Sequence, residues 1–64
     1  MLEKIRKAKG ITQEQLAYLV RMSGTKISTT DICLIETRGA IPTEEQKHAL
    51  CNILGTKPEE LFNR

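Results

Sequence analysis

The sequence predicts an all-α fold, a compact bundle of five short helices, and three observations carry that expectation. Thr12, Ser28 and Thr43 are each followed three positions later by Gln15, Asp31 or Gln46, the spacing of a capping box at a helix start. Behind each cap, apolar residues recur at the three- to four-residue spacing of one helix face. No segment alternates as a half-buried strand does, and glycines or prolines punctuate the patterned stretches.

The elements follow in order. Leu2, Ile5 and Ala8 line one side of a first helix, with Lys4, Lys7 and Lys9 elsewhere on it and Gly10 to end it. Thr12 caps a second helix over about Gln13 to Val20, with Leu16, Ala17 and Val20 inward. Ile11, just before that cap, is placed to staple onto Leu16. The stretch from Arg21 to Ile27 contains Ser23-Gly24-Thr25 and reads as a turn. Ser28 caps a third helix to about Thr37. On it Ile32, Ile35 and Glu36 share one side, and Thr30, Leu34 and Thr37 the other, so Leu34 should point away from the core. Arg38 to Pro42 is a loop. Thr43 caps a fourth helix, with Glu44 and Glu45 at its positive end and Leu50, Cys51 and Leu54 as its apolar face. Gly55 ends it, and Pro58 opens a short fifth helix through Phe62.

Sixty-four residues make one domain, residues 1–64. A composition of 39% hydrophobic residues, with one Tyr, one Phe and no Trp, suits a core of Leu, Ile, Val and Ala and leaves little room for an enclosed active site. The net charge of +2 is unevenly spread. Residues 1–32 hold six basic and three acidic side chains, and residues 33–64 hold four and five. One basic face for nucleic acid and one solvent or partner face would suit that division. Cys33 and Cys51 form no close pair, the N-terminus has no apolar targeting segment, and no run approaches membrane-spanning length, so a cytoplasmic setting with free thiols is expected. No nucleophile, base and orienting group come together, so no enzyme is expected. His48 and Cys51 stand one turn apart without further ligands, so neither a metal nor another cofactor is expected, nor a small-molecule ligand or a membrane partner.

Two capped helices in tandem read as a helix-turn-helix unit, which exists mainly to place its second helix in the DNA major groove. The chain resembles the lambda-repressor-like domains of Cro/cI type, also called the XRE family, over almost its whole length. The resemblance rests on Arg6, Gly10, Thr12-Gln13-x-x-Leu16-Ala17, Ile32, Ile35-Glu36, Pro42, Leu54-Gly55 and Leu61-Phe62. Two departures stand out. The segment from Ala17 to Ile32 is longer than the family pattern, with the excess near Met22 to Lys26, and Gly39 falls one position late after Glu36.

The resemblance implies a transcriptional regulator, repressor-like, that binds double-stranded DNA at an operator. Gln13 would hold the DNA backbone at the start of the second helix. Ser28, Thr29, Thr30, Cys33, Leu34 and Thr37 would lie against the groove, with Thr29, Thr30 and Leu34 at positions that reach base edges. Lys26 and Arg38, in the flanking loops, would neutralise phosphates. Arg6 and Glu36 would form an ion pair between the first and third helices. A homodimer is expected, at least on DNA, built from the fourth and fifth helices with Leu61 or Phe62 exposed. The alternative is a protein-interaction module on the same scaffold, of antitoxin or anti-regulator type, favoured by the lengthened turn, the near-neutral charge and an exposed Leu34.

Overall fold

Three capping boxes set where the longer helices begin. The computed structural model describes residues 2–62 and places the helices as α1 (Leu2–Ala8), α2 (Gln13–Met22), α3 (Thr29–Thr37), α4 (Glu44–Leu54) and α5 (Pro58–Phe62). Thr12, Ser28 and Thr43 each accept the N–H of the residue three on, and that residue's side chain accepts the cap's own N–H in return. Six first-turn donors are satisfied in this way within three short segments.

The helices then close on one another. α2 packs against α3 and α4, while α1 and α5 pack together, α1 also meeting α3 and α5 meeting α4. Leu2, Leu16, Ala17, Val20, Ile27, Ile32, Ala49, Leu50, Cys51, Leu54 and Leu61 form one buried cluster, with Ile5, Ile11, Ile35 and Ile53 against its edge. Ala8, expected on the inner side of α1, is exposed, and Arg6 is the buried residue of that turn. None of the described helices is long and apolar enough to cross a membrane.

Two further expectations are corrected. α2 runs to Met22 and not to Val20, because Arg21 and Met22 favour helix and the stop lies beyond them. Gly24 takes φ +98°, in the left-handed region that side chains rarely adopt. Its turn lets the Thr25 N–H return to the Val20 carbonyl at 3.3 Å. Leu61, expected exposed for a dimer contact, is 3% exposed and closes the core from α5. The Phe62 side chain lies outside the described part of the structure.

The lengthened link between α2 and α3 is fastened rather than open. Ser23 Oγ donates to the Val20 carbonyl at 2.6 Å, Arg21 Nη1 to the Ile27 carbonyl at 3.1 Å, and Gln46 Nε2, from α4, to the Lys26 carbonyl at 3.0 Å. Ile27 enters the core with 6% of its surface exposed. Ile27 precedes the Ser28 cap by one residue and the fully buried Ile32 follows that cap by four, the two positions of a hydrophobic staple. Accordingly, Ile27→Ala should cost about 2–5 kcal/mol of stability. Lys26→Ala, one residue away and exposed, should change it by less than about 0.5 kcal/mol. Urea melts of the two variants check this, and a surface-like response at Ile27 would show that the turn packs loosely.

Candidate nucleic-acid interface

The start of α2 combines a capping box with first-turn backbone donors at the positive end of the helix dipole. Its capping box engages the N–H groups of Thr12 and Gln15. The N–H groups of Gln13 and Glu14 are first-turn donors with no acceptor inside the helix, at the positive end of its dipole. Gln13, Thr12, Lys7 and Thr29 line one surface depression there, so the mouth of α2 and the first turn of α3 share a single concavity. The Glu14 carboxylate also borders it and opposes a phosphate.

Beneath that mouth lies a polar network. Arg6 Nε donates to Glu36 Oε2 at 2.7 Å and Arg6 Nη2 to Glu36 Oε1 at 3.2 Å, a bidentate pair between α1 and α3. Arg6 Nη1 donates to the Ile11 carbonyl at 2.8 Å. The two charged side chains are 8% and 1% exposed. The hydrogen bonds to the Glu36 carboxylate raise the Arg6 guanidinium above its ordinary value, against the opposing pull of burial. Gln13 Nε2 joins the same carboxylate, donating to Oε1 at 2.8 Å. The sequence pattern points Gln13 at a phosphate; the structure engages one of its N–H groups within the fold and leaves the second N–H and the oxygen. No sequence signal marked this contact, because it joins residues 23 apart in the chain.

α3 presents the expected outer side. Thr30, Leu34, Thr37 and Arg38 are exposed, Thr29 and Cys33 half-buried, and Ile32 fully buried opposite them. Leu34 is 40% exposed, so the helix is not turned to bury it. Ser28 accepts the Asp31 N–H at 3.0 Å through its oxygen, which leaves its own O–H to donate outward. Thr37 Oγ1 donates to the Cys33 carbonyl at 2.7 Å, which leaves that oxygen to act as an acceptor. Lys26 and Ser28 line a second depression with Arg21 and Asp31. Each depression thus takes one wall from the start of α3, and exposed Lys26 and Arg38 bracket the helix. On α4, His48 is exposed while Cys51 is buried, where desolvation pushes its thiol up. Among the described residues no group of three or more His, Cys, Asp or Glu side chains could hold a metal ion.

Glu36→Ala should strip Arg6 of its counter-charge inside the domain and cost about 3–5 kcal/mol, most of the stability of so small a chain. Leu34→Ala, on the opposite side of the same helix, should leave thermal melting nearly unchanged. Calorimetry on both variants reads the phase of α3 directly: a large loss at Leu34 with little at Glu36 would invert it.

Compared with protein-family models, residues 1–63 match that of the helix-turn-helix domain. Comparison with curated proteins and with solved structures gives no significant match. The match spans all five helices, including the capped α2–α3 pair that carries both depressions. By that match the chain belongs to the helix-turn-helix domain family, of the Cro/cI/XRE type.

Proposed function

We propose that this domain binds double-stranded DNA and regulates transcription as a repressor-like protein at an operator, with α3 in the major groove. The observation that carries the proposal is the shared depression of Gln13 and Thr29. A phosphate seated on the first-turn N–H groups of α2 would bring the first turn of α3 to the groove edge. Lys26 and Arg38 then meet the backbone on either side, and Ser28 offers its hydroxyl proton. Thr29 and Thr30 present hydroxyl and methyl groups, and Leu34 apolar contact suited to a thymine methyl. Thr29, Thr30, Cys33, Leu34 and Thr37 include no Gln, Asn or Arg for bidentate base reading, so discrimination per helix is modest. A homodimer on two half-sites is part of the proposal, as is a reducing cytoplasmic setting in which Cys33 and Cys51 stay free.

One observation favours a second reading. Tyr18, Leu19 and Met22 are exposed along the outer side of α2. Tyr18 and Leu19 border an apolar depression with Ile11 and Gly10. An interaction module that docks a protein would use such a surface.

Salt separates the two. Duplex affinity should fall steeply and log-linearly with salt, by a slope of roughly 0.9 per phosphate neutralised. Gln13→Ala should weaken binding to all sequences alike, because a backbone contact carries no base information. Titrating random and selected duplexes from low to high salt checks both. A flat response, or no binding to any duplex in the pool, would sink the DNA reading and leave the interaction module.

A further inference from the structure

Glu36 does more than balance Arg6. Its carboxylate is 1% exposed and takes three donors: Arg6 Nε at 2.7 Å, Arg6 Nη2 at 3.2 Å and Gln13 Nε2 at 2.8 Å. With so little water in reach, those donors set its orientation. A carboxylate only accepts, so Gln13 must face it with its NH2 and never with its oxygen. On an open surface a side-chain amide has two nearly equivalent orientations; here the buried acceptor selects one. Arg6 is itself fixed by the Ile11 carbonyl at 2.8 Å, one residue before the Thr12 cap. Ile11, Arg6, Glu36 and Gln13 are therefore joined by a chain of hydrogen bonds whose two ends lie two residues apart at the entry to α2.

Resting on the DNA-binding reading above, we infer that Glu36 is a positioning residue for phosphate recognition. It holds the Gln13 amide in one orientation beside the first-turn N–H groups of Gln13 and Glu14. One Nε2 proton is taken by Glu36, and the other is the donor left for a phosphate oxygen. The α1–α3 ion pair and the backbone contact are then one unit, and the contact is set before DNA arrives, which lowers the ordering cost of binding.

Two measurements test this. The first is nitrogen-15 relaxation of the Gln13 side-chain NH2 in the wild-type protein without DNA. It should be as rigid as the backbone, with one proton shifted downfield. The side-chain amide of Asn52, exposed on α4, serves as the mobile comparison. The second is a double-mutant cycle in duplex affinity, at a temperature where every variant is folded. Glu36→Gln keeps the shape but can donate as well as accept, so the Gln13 amide loses its fixed orientation and affinity should fall about tenfold. The salt slope should stay unchanged, because a neutral amide displaces no counterion. In a Gln13→Ala background, Glu36→Gln should cost no further affinity. Additive losses, or no loss, would overturn the inference. So would a Gln13 amide as mobile as that of Asn52, a result that needs no variant and stands even if Glu36→Gln does not fold. A wild-type protein that binds no duplex would instead overturn the DNA-binding reading, and this inference with it.

Discussion

The buried ion pair between Arg6 and Glu36 is the constraint on which the rest of the arrangement depends. Removing two charges from water costs several kcal/mol each, and their attraction offsets this only where the surrounding donors and acceptors are satisfied. Here they are. Arg6 engages Nε, Nη1 and Nη2, and Glu36 receives donors on both oxygens. The hydrophobic cluster alone would not fix the helices so closely, since its force has no direction and most of its members are aliphatic side chains. The ion pair is directional. It joins α1 to α3, and through Ile11 and Gln13 it also tethers the capped start of α2 to both.

One consequence is the rotation of α3. That helix carries apolar residues on both sides, Ile32 and Ile35 on one and Leu34 on the other, so apolar spacing alone leaves its phase under-determined. Glu36 lies one turn beyond Ile32, and its burial places that side inward. Thr30, Leu34 and Thr37 are then outward by geometry. The lengthened turn leaves this phase intact because it has its own fastenings. Arg21 and Gln46 hold the carbonyls of Ile27 and Lys26, and Ile27 fills the core. The extra residues are taken up outside the α2–α3 contact.

What was legible in the sequence was local, and what was not was tertiary or misread. The three caps could be read because each is a contact over three residues between side chains of fixed chemistry. Ile27 was open to the same reading as Ile11, since both stand just before a cap with an apolar partner five residues on. The turn signal around Gly24 obscured it. α2 outran its expected end because Ser23 and Gly24 stop the helix from outside, whereas Arg21 and Met22 continue it. Leu61 lay in an element of five residues, too short for spacing to define a face. Of the interface, the outward side of α3 followed from helical phase. The bond from Gln13 to Glu36 did not, because an amide at a helix mouth serves a phosphate or a buried carboxylate equally well.

The make-up of α3 also bears on how a DNA-binding role would reach selectivity. A good bidentate side chain discriminates one base pair by about 1–3 kcal/mol. The threonines and Leu34 on the outward side have no such fork, so in that role each would contribute at or below the lower end. A genome offers on the order of 10⁶ or more competing sites, and overcoming a millionfold excess takes about 8 kcal/mol of discrimination. One copy of α3 would fall short of that, and the phosphate contacts proposed for Gln13, Lys26 and Arg38 would add affinity without preference. Two copies on half-sites at a fixed spacing double the base readout and add the spacing itself as information. On this reading, pairing of two copies on DNA follows from the weakness of each recognition helix.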